Sequence, residues 1–246
     1  MESIEPTRRV QRVRHELRRR ELQVLRVQPL GAHFVAVTFG GPELEGFTSL
    51  SFDDHVKFML EADGAEPVRR DYTPRRYDAQ RGELTLEFAL HGDGQACRWA
   101  QQAQPGQRAL IGGPRGSMII PMDWDWQLLA GDATALPAIH RRIEELPAGA
   151  RALVLVQVDS AADQRQWTTA ADVQTQWVTS DYEWLAALAA LQLPAGEGFA
   201  WCAGEASVMA QARRMLIQDK GLAKEHIRAA AYWKRGASAF HENLED

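Results

Sequence analysis

The rhythm of the chain changes once, near Met122-Asp123-Trp124-Asp125-Trp126, and that change limits the folds open to it. Before it, short β-branched and aromatic runs are separated by turns. Phe34 to Phe39 is bounded by Gly40-Gly41-Pro42, and His55 to Leu60, Arg70 to Thr73 and Leu84 to Leu90 follow at spacings suited to an antiparallel barrel. After it, apolar runs alternate with helical stretches. Ala152 to Val158 reads as a strand buried on both faces of a parallel sheet, and Leu136 to Leu146, Trp184 to Leu191 and Val208 to Ile217 read as helices. The pattern predicts a β-barrel plus α/β architecture: a basic arm over residues 1–20, a barrel over 21–122 and an α/β nucleotide domain with a C-terminal tail over 123–246. In such a domain the ligand sits at the carboxyl ends of the strands. The Arg-rich stretch from Val10 to Arg20 is expected as a helix or arm with a solvated basic face.

Composition narrows the partners. A net charge of −5 argues against nucleic acid, which selects basic surfaces. Cys97 and Cys202 are too few for a disulfide framework and lack C-x-x-C spacing, so a cytoplasmic location is expected. No apolar run reaches the ~18 residues of a spanning helix, so no membrane insertion is expected. H-E-x-x-H, cysteine clusters, G-x-S-x-G and G-K-[ST] are all missing, and no metal site is expected.

The stretch Arg70-Asp71-Tyr72-Thr73-Pro74-Arg75 carries most of the chemistry. In an extended chain Arg70 and Tyr72 share one face, while Asp71 and Thr73 take the other. Pro74 ends the ladder, leaving an edge that could hold a flat aromatic ligand with an anionic tail or could simply be solvated. His91-Gly92-Asp93-Gly94-Gln95-Ala96-Cys97 then reads as a glycine turn opening a helix whose N–H groups could hold a phosphate. Gly204-Glu205-Ala206-Ser207 follows a strand end in the same way, and an ordinary N-cap is its plain alternative.

R-x-Y-T-x-R resembles the flavin signature of the siderophore-interacting proteins, a branch of the ferredoxin-reductase-like flavoproteins. Arg98-Trp99-Ala100, Gly131-Asp132-Ala133-Thr134-Ala135-Leu136-Pro137 and Ala203 to Ser207 also resemble that family's segments, with Cys97 and Ala133 as departures from serine and glutamate. The resemblance implies a six-stranded FAD-binding barrel and an NADPH- or NADH-binding α/β domain. It further implies that Arg70, Asp71, Tyr72, Thr73, Arg75, His91, Gly92, Gly94, Ala96, Cys97, Asp132, Thr134 and Trp233 surround FAD, with Tyr72 and Thr73 at the reacting ring. Gly131, Ala133, Gly204, Glu205 and Ser207 would meet the nicotinamide nucleotide. Lys57, Arg115, Lys234 and Arg235 are expected to form a cationic platform for an anionic ferric chelate. The implied activity is FAD-dependent ferric-siderophore reduction by a monomer, with NAD(P)H or a ferredoxin as donor. Alternatives are a general flavin or ferredoxin-type reductase with another acceptor, and a siderophore-binding module without redox activity.

Overall fold

The computed structural model describes residues 9–62, 65–92, 94–237 and 242–244. Its first half contains β1 (Gln11–Arg14), β2 (Arg19–Leu30), β3 (Phe34–Gly40), β4 (Val56–Ala62), β5 (Ala65–Tyr72), β6 (Pro74–Asp78) and β7 (Glu83–Ala89). A short helix, α1 (Gln95–Gln102), precedes β8 (Arg108–Gly112) and β9 (Gly116–Ile119). The main sheet is antiparallel and runs β5-β4-β8-β2-β3-β7-β6. Its two edges are halves of one segment that breaks at Thr73: β5 pairs with β4, and β6 pairs with β7. Pro74 explains the break, since it has no N–H for a continuing ladder. The sheet is thus curled round, with its edges joined through the chain. Counted by chain segment it is the expected six-stranded barrel; counted by ladder it has seven strands.

Alternation fills its interior. In β2 every second residue from Arg20 to Val24 is buried, and Leu22, Val24, Val37, Phe39, Phe58, Leu86, Phe88 and Ile111 form one core. Helix α1 packs on it through Trp99, which stacks on Phe39 at 6.1 Å and meets Phe58 edge-on at 4.6 Å between ring centroids.

The basic stretch departs from expectation. Part of it is strand: β1 pairs antiparallel with β9, and β2 already begins at Arg19. Arg20 is buried, and its guanidinium donates to the carbonyls of Glu43 (3.0 Å) and Gly113 (3.2 Å). Val13 is half-buried while Arg12 and Arg14 keep exposed side chains, so this part of the stretch is a strand with a solvated basic face rather than a helix or arm. Residues 1–8 of the expected arm lie outside the described residues.

The second half contains β10 (Trp126–Gly131), α2 (Leu136–Glu145), β11 (Arg151–Gln157), β12 (Asp172–Val178), α3 (Asp181–Ala190), β13 (Gly198–Glu205), α4 (Ala206–Gln218), β14 (Ile227–Trp233) and β15 (Glu242–Asn243). Strands β12-β11-β10-β13-β14 are parallel, and β15 adds antiparallel to β14. Both β10 and β13 are buried along their whole length, which their apolar composition permits. Helix α2 lies between the two sheets: Leu136, Ile139 and Ile143 share a core with Phe34 and Phe52 of the first half. On the opposite face, α3 and α4 pack Trp184, Leu188, Met209 and Ala212 against Leu128 and Leu155. Strand order reverses around β10, which places a switch point at the carboxyl ends of β10 and β13. No described helix is long and apolar enough to cross a membrane.

Candidate functional site

Strand β5 presents Arg70, Asp71 and Tyr72, and Thr73 stands at the corner. Their partners on β4 are Phe58, Lys57 and Val56 in turn, so the faces alternate as expected. The Tyr72 ring lies 4.2 Å from Phe88 and 5.9 Å from Phe58. Burial pushes its phenol well above the usual range, and it feels both Cys97 and Arg70. The Arg70 guanidinium donates to the carbonyl of Arg69 (2.9 Å) and meets no carboxylate among the described residues. Its charge is therefore available to an external anion.

The start of α1 is open. Gly94 is its N-cap, no side chain among the described residues caps it, and its first turn carries no acidic residue. The first-turn N–H groups of Gln95, Ala96 and Cys97 thus have no partner within the helix, at its positive end. A side chain at Gly92 or Gly94 would meet nothing within 4 Å, so the turn has room above it; Gly92 also needs its left-handed φ of 64°. The Cys97 thiol donates to the carbonyls of His91 (3.3 Å) and Ala89 (3.6 Å). Its contact with the His91 ring, 4.0 Å away, lowers the thiol pKa and raises that of the imidazole. The thiol ties down the turn, leaving the backbone N–H groups to meet a ligand. An open helix end, a roomy glycine turn and an unengaged arginine suit a pyrophosphate, and Tyr72 suits a flat ring beside it.

The switch point is different. Asp132 accepts from Thr134 N (2.8 Å), Thr134 Oγ1 (2.5 Å), Glu205 N (3.0 Å) and Trp233 Nε1 (2.7 Å). It joins the ends of β10, β13 and β14, and burial raises its pKa. Trp233 also approaches His91, at 6.3 Å between rings, so this hub adjoins the α1 turn. The glycines here are accounted for by packing. A Cβ at Gly131 would lie 2.2 Å from the Ala203 carbonyl, and one at Gly204 would lie 2.6 Å from the Asp132 carboxylate.

Glu205 closes α4: its Oε2 accepts from Ser207 N (2.7 Å), Ser207 Oγ (2.5 Å) and Val208 N (3.2 Å). These bonds hold its carboxyl below the usual range against the cost of burial. The small cleft there is lined by Asp132, Asp181 and Glu205. The backbone donors and Ser207 hydroxyl expected to hold nucleotide phosphate are occupied by a carboxylate in this structure.

The expected platform residues are dispersed among partners. Lys57 donates to Asp71 (2.7 Å) and lies opposite Gly112, three residues before Arg115. Lys234 and Arg235 follow β14 in the other sheet; Arg235 donates to Asp181 (3.0 Å) and, through its backbone N–H, to Glu205 (3.2 Å). Arg75 departs furthest from expectation. It is buried, donates twice to Glu144 (2.8 Å each) and lies 3.3 Å from Glu87. Its guanidinium faces α2 rather than an open ligand surface, because Pro74 turns the chain at that corner. Sequence reasoning passed over Glu144 and its neighbour Arg141, which lie at the rim of an amphipathic helix, Glu144 exposed and Arg141 half-buried, where charge is ordinary.

Known proteins resemble this chain along nearly its whole length. Residues 124–236 match the siderophore-interacting protein family, and 23–68 with 61–118 match the siderophore-interacting FAD-binding domain. The NADPH-dependent ferric-chelate reductase of Escherichia coli is 38% identical, covering 91% of this chain and 96% of that protein. The ferric vibriobactin reductase of Vibrio cholerae is 31% identical over 91% of this chain and 93% of its own. A siderophore utilization protein from T. fusca, known by crystal structure, superposes with a TM-score of 0.87 at 33% identity, covering 94% of this chain and 98% of that one. The ferredoxin reductase of carbazole 1,9a-dioxygenase, at 20% identity and a TM-score of 0.63 over 86% of this chain and 66% of its own, shares the fold. With an FAD-binding domain in its first half and an α/β domain in its second, the chain belongs to the siderophore-interacting protein family.

Proposed function

We propose that the protein is an FAD-dependent ferric-siderophore reductase that draws electrons from NADPH. The observation that carries this reading is the uncapped start of α1 beside Arg70 and Tyr72. Arg70 and the N–H groups of Ala96 and Cys97 hold the pyrophosphate, while Tyr72 and Thr73 border the ring. Bound FAD supplies two-electron acceptance from a nicotinamide nucleotide and one-electron delivery to Fe(III). Each NADPH therefore suffices for two ferric ions, and the chelate needs only close approach with no iron ligand from the protein.

The nicotinamide nucleotide docks at the carboxyl ends of β10 and β13, near Ala133 and Thr134. Its phosphates stay clear of α4, where Glu205 already fills the helix end. Lys57 and Arg115 draw in the anionic chelate from the barrel side. Both cysteines are free and buried, which supports a cytoplasmic site of action.

The test is anaerobic. The purified protein is loaded with FAD, reduced with NADPH and mixed with a ferric tris-catecholate. Return of the oxidised flavin spectrum with formation of Fe(II) is expected, and a reduced spectrum that persists in the chelate's presence contradicts the reading. Lys57→Ala with Arg115→Ala should raise KM for the anionic chelate several-fold and flatten its salt dependence, by roughly the loss of ~10-fold electrostatic steering. Unchanged KM and salt slope would remove this platform.

A further inference from the structure

We propose that Arg141 and Glu144 of α2 are positioning residues for the flavin face of the barrel. They hold Pro74 and Arg75 and thereby set Tyr72 and Thr73. The inference rests on reading those two residues as flavin contacts.

The corner at Thr73 is where the sheet cannot hold its own geometry. β5 has ended, Pro74 lacks an N–H, and the pairing of β6 with β7 shifts register between Pro74 and Arg76. Side chains from another element fill that gap. Arg141 donates to the Pro74 carbonyl (2.9 Å), to Ser49 Oγ (2.8 Å) and to the Ser49 carbonyl (3.1 Å). One turn later, Glu144 accepts both terminal nitrogens of Arg75 at 2.8 Å. The i, i+3 spacing puts the two residues side by side on the helix, so consecutive residues of the corner are gripped by neighbouring points of one support.

The support is itself fixed. Leu136, Ile139 and Ile143 are fully buried between the sheets. Arg142 donates to Gln127 (2.9 Å) and to the carbonyls of Ile120 (3.1 Å) and Pro121 (2.6 Å). The Arg75 side chain is 8% exposed, so its guanidinium has little solvent to turn to when Glu144, itself 38% exposed, is removed; Glu87 at 3.3 Å is the carboxylate that remains. Helix α2 also starts directly after the Gly131-to-Ala135 turn, so one rigid element joins the candidate nucleotide turn to the flavin corner.

A grip on the corner is distinguishable from plain stabilisation by the state of the bound flavin. Glu144→Ala should weaken FAD binding about tenfold in a fluorescence titration of the apoprotein, alter the visible circular dichroism of bound flavin and slow single-turnover reduction by NADPH about tenfold, as expected when a reacting geometry loosens. Glu144→Gln keeps one acceptor for Arg75 and should fall between parent and alanine. If the alanine variant does not fold, Glu144→Gln and Arg141→Lys decide by the same readouts. A lowered melting temperature with parental FAD affinity, flavin dichroism and reduction rate overturns the inference. Failure of the parent chain to bind FAD overturns instead the flavin reading on which it stands.

Discussion

Helices α1 and α4 each begin near a glycine just beyond a strand, α1 after the turn at Gly92 and Gly94 and α4 directly behind Gly204 and Glu205 at the end of β13, and they end up with opposite electrostatics. At α1 the N-cap is Gly94, and the first turn holds no acid. At α4 the N-cap is Glu205, whose carboxylate takes the donors of Ser207 and Val208. Each helix start carries roughly +0.5 of an elementary charge. In α4 that charge is answered from within by a cap worth about 1 kcal/mol, with Asp132 and Asp181 nearby. In α1 no side chain among the described residues answers it. A strand end followed by a helix is therefore not yet an anion site. The side chain at the N-cap decides whether it becomes one.

The largest expected effect removes the cation that accompanies the open end. Arg70→Ala should lose one to two decades of FAD affinity, since charge-assisted hydrogen bonds are worth ~1.5–3 kcal/mol. Retention of flavin by that variant through dilution and gel filtration would break the comparison on the barrel side. Next, Gly94→Asp should make α1 resemble α4. A Cβ there would meet nothing within 4 Å, and φ at Gly94 is −63°, so the variant should fold. Its carboxylate should cap the helix and reduce FAD affinity about tenfold or more by occupying the donors.

The reverse change is smaller. Glu205→Gln removes the charge at α4 and should improve NADPH affinity by roughly threefold, a fraction of the effect of one near charge; a weaker Kd would show that the carboxylate assists the nucleotide. The smallest effect concerns stability. Because the Glu205 pKa is lowered in the fold by its hydrogen bonds, its stabilisation is present above its unfolded value near 4.5 and is lost as pH falls through the folded pKa. Glu205→Gln should therefore melt lower than the parent at pH 7, and the gap should narrow in acid. A constant gap across that range would mean the charge does not contribute.

The parts legible in the sequence are those specified by short-range pattern. Alternation in β2, the apolar run of β11 and the strand carrying Arg70 to Tyr72 each declare themselves within about ten residues, and the structure forms strands there. Long-range pairing was not legible. Arg75 looks like a ligand residue until Glu144, 69 positions away, is brought against it by α2. The arginines of β1 look like part of a solvated helix or arm; their side chains are exposed, but the backbone is a strand because β9 supplies an edge. Gly131 and Gly204 look like nucleotide turns, yet neighbouring backbone and Asp132 already require them to be glycine. Glu205 was read as a nucleotide contact with an N-cap at Ser207 as the alternative; the structure makes Glu205 the cap and Ser207 one of its donors.

The most direct test compares FAD with riboflavin, which has the same ring but no phosphate. Dissociation constants of both are measured by fluorescence quenching for the parent and for Gly94→Asp. If the open start of α1 holds the pyrophosphate, the parent should prefer FAD strongly, and the variant should lose most of that preference while its riboflavin affinity stays near the parental value. An unchanged ratio of the two constants, in a variant shown to be folded, would contradict the account and place the pyrophosphate elsewhere.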